Sequence, residues 1–523
     1  MDINLADLVA AVGDALPDRC ALVCDGERLS YRELTARSEQ VAQHLIGAGI
    51  GPDETVGLYM PNSIAYVESL LGCMVARAIP VNINYRYTGP ELAHLFGSAR
   101  LSALVVDAEF ADLAAAVSCP TLRHVIVVGG DADGFETTTA GYEAATGEAP
   151  IFRPVVSRSG DDKLLIYTGG TTGLPKGVLW RHEDFYWSAL AGGNHYGEPR
   201  RSVDEVVAAA VAMPEGGYLL TAPLMHGAGT YTLFTAFLLG STVVISRAFN
   251  AANVLSLVGQ ERVMAVAVVG DAMARPIADE LAAHPDAYDL SSWFILGSGG
   301  ALLSDSVRDQ IQALRPELYI TNRFGASETG TDGEFRRGDD GRPRLAVSPS
   351  VCVVDAERKP VGPGRTGWLA RSGHVPLGYF GDEAATAATF PVIDGVRWAV
   401  LGDMARVEDD GSIVILGRGS TCINTGGEKV FTDEVEQALK SHPAVFDAVV
   451  AGVPDERYGQ RVAAVVRLRD PDARLDADAL RDHCRATLAG YKVPARVVFV
   501  AEVVRSPTGK ADYRWASEVL AGG

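Results

Sequence analysis

Residues 167–177 read Tyr-Thr-Gly-Gly-Thr-Thr-Gly-Leu-Pro-Lys-Gly (YTGGTTGLPKG), with the apolar run LLI before them and VLW after. Two strands joined by such a turn bring successive backbone N–H groups and the hydroxyls of Thr168, Thr171 and Thr172 into one concavity, a receptor for phosphate oxygens. Gly169, Gly170 and Gly173 allow close approach of the main chain, and Lys176 adds a cation. A Walker loop places glycine before its lysine and serine or threonine after it, whereas here Pro175 precedes Lys176 and Gly177 follows. The motif is therefore not that of a P-loop NTPase.

Working outward from this loop, strand-like and helical segments alternate. LSYRELTARSEQVAQHLIGAG carries a capping box, Ser30 to Glu33, and TVGLYM, LSALVVD, HVIVVGG, STVVISR, VMAVAVV and SWFILGS read as buried strands, the pattern of an α/β sheet. Beyond about residue 345 the strands shorten and glycine punctuates them, which predicts a meander or small barrel attached to the large sheet. From about Gly419, helices and strands make a compact α+β module.

The chain has 523 residues, more than one core holds, so two or more domains are expected. A formal charge of −20 argues against a nucleic-acid partner, which calls for a basic stripe. The seven cysteines show no metal-ligand spacing and read as reduced thiols, pointing to the cytoplasm. MDINLADLVAAVGDAL is acidic where a signal peptide needs cations, and no apolar run reaches membrane-spanning length, so no integral membrane association is expected.

YTGGTTGLPKGV is similar to the phosphate-loop signature of the adenylate-forming superfamily of acyl-CoA synthetases, peptide-synthetase adenylation domains and luciferases. Further motifs resemble that family's in order. PLMHGAG (223–229) implies that His226 lies beside the substrate carboxylate, and GSGGA (297–301) implies an adenine-binding turn of Ser298, Gly299, Gly300 and Ala301. NRFGASETG (322–330), with Asn322 and Gly325 in it, implies Phe324 stacked on adenine, Ser327 on phosphate and Glu328, with Thr168, on Mg²⁺. It departs from the family by phenylalanine for tyrosine and serine for threonine, keeping the ring and the hydroxyl. LGDMA (401–405) implies that Asp403 accepts from the ribose hydroxyls, and GR at 417–418 that Arg418 contacts ribose and phosphate.

GRGSTCINTGGEKVFTDEVE (417–436) resembles the hinge and thiol-tunnel motif, with Ser420 where the family has aspartate or lysine, and Gly426 and Gly427 leaving room for a pantetheine arm. SPTGKADYRWA (506–516) resembles the closing signature whose lysine, here Lys510, is catalytic. The resemblance thus implies an α/β fold with a large N-terminal domain over 1–418 and a mobile α+β domain over 419–523. It implies an AMP-forming ligase that joins a carboxylic acid to ATP and then to CoA. TGGTTG, WRHEDFYW, GDAM (270–273) and NTGGEKVF look more specifically like bacterial synthetases for fatty or sterol side-chain acids, with Met225, Tyr231, Phe234 and Met273 as pocket candidates. An aryl acid, another acceptor such as a carrier-protein thiol or an amine, a non-catalytic relative and a homodimer stay open at this stage.

Overall fold

The structure, a computed structural model, describes residues 2–130, 134–147, 157–168, 174–301, 303–338, 343–346, 350–418, 422–425, 428–455, 457–473, 475–505 and 510–522. Among these residues the strands form three sheets, of fourteen, eight and five strands.

The helix expected after Ser30 runs Tyr31–Gly47, and its capping box is formed: Ser30 Oγ accepts from the Glu33 N–H at 3.2 Å and Glu33 Oε2 from the Ser30 N–H at 2.7 Å. The next strand, Thr55–Tyr59, lies in the eight-stranded sheet between Ile79–Asn82 and Ala103–Asp107 and parallel to both. A strand covered on both faces can be apolar throughout, as TVGLY nearly is. Lys163–Thr168 and Lys176–Arg181, the two arms of the glycine-rich turn, pair antiparallel in this same sheet, with Thr168 opposite Lys176.

The fourteen-stranded sheet changes character along its length. Cys20–Cys24, Thr242–Ile245, Gly217–Leu220, Val263–Val268, Ile295–Gly299 and Tyr319–Ala326 are neighbours in parallel. From Gly330–Arg337 onward the pairing turns antiparallel. The short strands expected as a meander or small barrel extend this edge around a small core of their own that includes Val353, Leu369 and Ala405.

The five-stranded sheet is built entirely from residues after 422. Its strand Val445–Asp455 alternates: Ala448 and Val450 pack with Val435 and Leu439 of the helix Thr432–Lys440, while Val449 and Ala451 face Ala516 and Leu520. The helix Tyr513–Gly522 that supplies this second cover is an addition to the sequence reading.

The N-terminal helix Leu5–Ala15 is pinned to the large body by the Leu5 N–H, which donates to His182 Nδ1 at 3.4 Å. His182 is fully buried, and burial pushes its pKa down from 6.5 to about 3. Between those values the unfolded chain binds a proton that the folded chain refuses. Its contribution to stability is therefore complete above pH 6.5 and lost as pH falls toward 3, at about 1.4 kcal/mol per pH unit. His182→Asn, which keeps an acceptor for Leu5, should lose less thermal midpoint between pH 7 and pH 5 than the parent chain in a melting series. Equal losses in both would remove His182 from the account.

Candidate active site

A cavity of about 1410 Å³ opens along the parallel part of the large sheet. Its floor follows the two-residue period of strands: Ala265 and Ala267, Gly297 and Gly299, Thr321 and Arg323 all face it. In register, Ala267 stands beside Gly297 and Gly297 beside Thr321, so small side chains keep the sheet surface open. The roof is the helix Gly227–Leu238, whose Ala228, Tyr231, Thr232 and Thr235 lie on one face at helical spacing. The site thus sits at and below the carboxyl ends of parallel strands, where α/β folds bind ligands.

His226 caps the roof helix and lines the cavity. Burial, then the charges of Lys510 and Arg86, hold its pKa down at about 3, so the ring is neutral near pH 7. Its Nε2 is buried and has no hydrogen-bond partner among the described residues. A buried polar atom of this kind is costly unless a ligand supplies the partner. The loop before it is held from several sides. Asn62 Oδ1 accepts from the Leu224 N–H at 2.7 Å, Thr230 donates to the Leu224 carbonyl at 3.0 Å, and the Asn82 amide donates to the Met225 carbonyl. Asn82 Oδ1 also accepts from the Tyr167 N–H at 2.7 Å, so this one side chain staples the histidine loop to the strand that enters the glycine-rich turn. No sequence motif marked Asn82.

Thr168, Ser298, Gly299, Gly300, Phe324, Gly325, Ser327 and Lys510 line the same cavity as His226. Gly300 has φ +81, and a Cβ there would come within 3.4 Å of Ala228, so glycine serves both backbone and roof. At Gly325 a Cβ would stand 2.0 Å from the Gly330 carbonyl oxygen, which fixes the tight reversal between the two strands. Ser298 directs its hydroxyl to the Gly270 N–H at 3.1 Å. Phe324 packs its ring edge-on to Phe335 with centroids 5.6 Å apart. Asn322 spends its amide N–H on the Leu303 carbonyl at 3.2 Å, and its buried Oδ1 has no partner among the described residues.

Glu328, Ala301, Asn322 and Lys176 lie outside the cavity lining. Glu328 Oε1 accepts from the Tyr379 hydroxyl at 3.0 Å, and Lys176 Nζ sits 5.1 Å from the centre of the Tyr379 ring and 3.6 Å from Asp382. Tyr379 thereby bridges the end of the glycine-rich turn and the Glu328 carboxylate, a role with no sequence signal. Asp403 is also off the lining, is buried, and lies close enough to Asp332 to raise that carboxyl's pKa, after burial itself. Its antiparallel partner in register is Arg418. Gly169, Gly170, Thr171, Thr172, Gly173, Ser420, Gly426, Gly427 and the side chain of Arg418 fall outside the described residues. Of the pocket candidates, Met225 and Tyr231 line the cavity. Phe234 and Met273 belong instead to buried cores, Phe234 against Phe185 and Met273 against Thr221.

Segments far apart in the chain close the cavity, since Arg505 and residues 510–514 of the C-terminal module share it with the turns at 297–300 and 324–327. Residues 9–380 match the AMP-binding enzyme family and residues 434–510 its C-terminal domain. The chain belongs to the AMP-binding enzyme family. Within this family it is 42% identical, over 99% of its length and 96% of the relative's, to a 3-oxocholest-4-en-26-oate–CoA ligase of Rhodococcus rhodochrous. It is 43% identical, with the same shares covered, to a medium/long-chain-fatty-acid–CoA/3-oxocholest-4-en-26-oate–CoA ligase of Mycobacterium tuberculosis. Its fold superposes on the anthranilate CoA ligase AuaEII in complex with anthranoyl-AMP at a TM-score of 0.85, with 25% identity over 100% of this chain and 98% of that one. ATP-bound MatB from Rhodopseudomonas palustris shares the fold at a TM-score of 0.81 and 24% identity, covering 100% and 99%. Among the described residues no helix is long and apolar enough to cross a membrane.

Proposed function

We propose that this AMP-binding enzyme is an acyl-CoA synthetase: it joins a carboxylic acid to AMP, releasing pyrophosphate, and passes the acyl group to the thiol of CoA, releasing AMP. The observation that carries this reading is the meeting of Lys510 with His226, Gly300 and Ser327 around one cavity. A carboxylate is a poor electrophile because it is anionic and its oxygen leaves badly, and adenylation cures both defects. The acid's oxygen attacks the α-phosphorus, the bond to the outer two phosphates breaks, and negative charge grows on the phosphoryl oxygens. Positioning and fixed positive potential are the catalysis this step needs, and an ionised acid needs no general base.

In this arrangement Lys510 bridges the carboxylate and the α-phosphate, and the neutral imidazole of His226 offers its unpartnered Nε2 to the acid. The 168–177 turn with Lys176 holds the outer phosphates. Asn322 Oδ1 is a suitable acceptor for the adenine amine, with Gly299, Gly300 and Phe324 against the base. We assign the ribose to Asp403 and Arg418, register partners on neighbouring strands. Glu328 and Thr168 offer hard oxygen donors that fit Mg²⁺, which takes one or two protein oxygens together with substrate phosphates. Bound there, the metal neutralises phosphate charge. We assign residues 419–523 to a mobile domain that withdraws Lys510 after adenylation and lets the pantetheine arm enter past Gly426 and Gly427.

The relatives act on fatty and sterol side-chain acids, and a cavity of about 1410 Å³ kept open by the small side chains of Ala265, Ala267, Gly297 and Gly299 suits bulky acids of that kind. The test is acid-dependent ATP–pyrophosphate exchange over fatty, aryl and sterol acids, followed by mass analysis with CoA. Exchange together with AMP and an acyl-CoA is the expected result. ADP as the product, or an adenylate that persists with CoA present, overturns it.

A further inference from the structure

The distal part of the cavity is not apolar. Arg323 lines it and donates from Nη1 to His195 Nδ1 at 3.2 Å and from Nη2 to the His195 carbonyl at 3.4 Å. An arginine can only donate, so Nδ1 of His195 accepts and its Nε2–H points to Thr235 Oγ1, 3.2 Å away. Thr235 in turn donates to the Tyr231 carbonyl at 2.8 Å. His195 is held in this neutral form by burial and then by the Arg323 charge, which push its pKa down to about 3. The relay leaves the remaining N–H groups of the five on Arg323 for the cavity. The guanidinium also lies 4.9 Å from the centre of the Tyr196 ring, and Arg200 lines the same end. No carboxylate stands within 4.0 Å of either guanidinium among the described residues.

The roof helix measures how far this cluster stands from the chemistry. Thr235 follows His226 by nine residues on the cavity face, roughly 13 Å along the helix axis. Arg323 is one imidazole away from Thr235. A guanidinium facing a site that otherwise fills with hydrocarbon loses hydration without compensation when a plain alkyl chain enters, and regains hydrogen bonds when the tail carries an oxygen.

We propose that Arg323 is a specificity-determining residue that reads a hydrogen-bond-accepting oxygen, a keto or carboxylate group, on the tail of the acid, far from the reacting carboxylate. This rests on the adenylation reading above and adds the substrate class: acids oxygenated at both ends. His195 and Thr235 are positioning residues, because their hydrogen bonds hold the fork in place. A site built to hydrogen-bond a substrate oxygen discriminates strongly against the analogue that lacks it.

The experiment compares kcat/KM in pyrophosphate exchange for dodecanoic acid, dodecanedioic acid and the dodecanoic analogue with a ketone next to its terminal methyl. The wild-type chain is expected to favour each oxygenated acid over dodecanoic acid by about tenfold or more. In Arg323→Met that ratio falls to near one, and Arg323→Lys restores part of it for the dicarboxylic acid. A wild-type ratio within about twofold of one overturns the proposal, and this holds even if the methionine variant does not fold. Loss of activity toward all three acids in equal measure in Arg323→Met, with the ratio kept, also overturns it, because that is the signature of a merely structural arginine. Absence of exchange with every acid in the wild-type chain is a different failure, which removes the adenylation reading itself.

Discussion

Lys510→Ala is expected to lower acid-dependent pyrophosphate exchange by about 10²–10³, or roughly 3–4 kcal/mol of transition-state stabilisation, the usual cost of losing one group aimed at developing oxyanion charge. Lys510 shares the cavity with His226 and Ser327, and its charge is among the causes that depress the His226 pKa, so its field reaches His226 in this arrangement. The backbone at Lys510 precedes the short bridge of Ala511 with Arg505, and the residue is exposed. The thermal midpoint should therefore change little, as for most exposed substitutions. The acyl-transfer half-reaction separates a catalytic lysine from a structural one. Supplied with preformed acyl-adenylate and CoA, the variant should form thioester at close to the parental rate, because that step does not use the cation. Exchange retained within about threefold, or an equal loss in both half-reactions, would refute the assignment.

The alternating α/β order and the glycine turns that line the cavity were legible because each rests on local chemistry. The Ser30–Glu33 box, the apolar strands and the glycine turns each act within a few residues, and the structure forms them where the pattern put them. Gly325 illustrates the limit of that reading: glycine is visible in the sequence, but its reason, the carbonyl of Gly330 across the reversal, is a contact between two strands. What escaped notice depends on partners far apart in the chain. Asn82 joins loops 85 and 143 residues away, and Tyr379 meets Glu328 from 51 residues away. Neither has a neighbour in sequence that announces the role. Phe234 and Met273 show the converse error, since apolar character alone does not say which face of a helix meets the cavity and which the core. The cavity is lined by a sheet face and a helix face at once, and only the packing of one on the other selects Tyr231 over Phe234.

The second large effect is expected at the seat of the C-terminal module. Lys440 Nζ stands 3.4 Å from Asp271 Oδ2, with both side chains more than nine-tenths buried, and Arg275 approaches the same oxygen at 3.9 Å. Asp271 Oδ1 takes the Ser304 N–H at 2.7 Å, and Ser306 donates to the Lys440 carbonyl at 3.3 Å. One turn before Lys440, buried Glu436 has its pKa raised to about 7 by burial, an effect that the lysine charge opposes. Removing one member of a buried pair costs up to about 3–5 kcal/mol, and here Asp271 keeps only the more distant Arg275, at 3.9 Å, as a counter-charge. In the proposed cycle this contact exists only while Lys510 is seated in the cavity, so the penalty falls on that arrangement alone. Lys440→Met keeps the stem and deletes the charge, and should lower pyrophosphate exchange by at least about tenfold while leaving CoA transfer from preformed adenylate undiminished. Adding Asp271→Asn removes the carboxylate that Lys440 faced and should recover part of the loss, a coupling that a double-mutant cycle measures directly. If both half-reactions fall together and the second substitution recovers nothing, Lys440 supports the fold of its own module and has no part in seating Lys510.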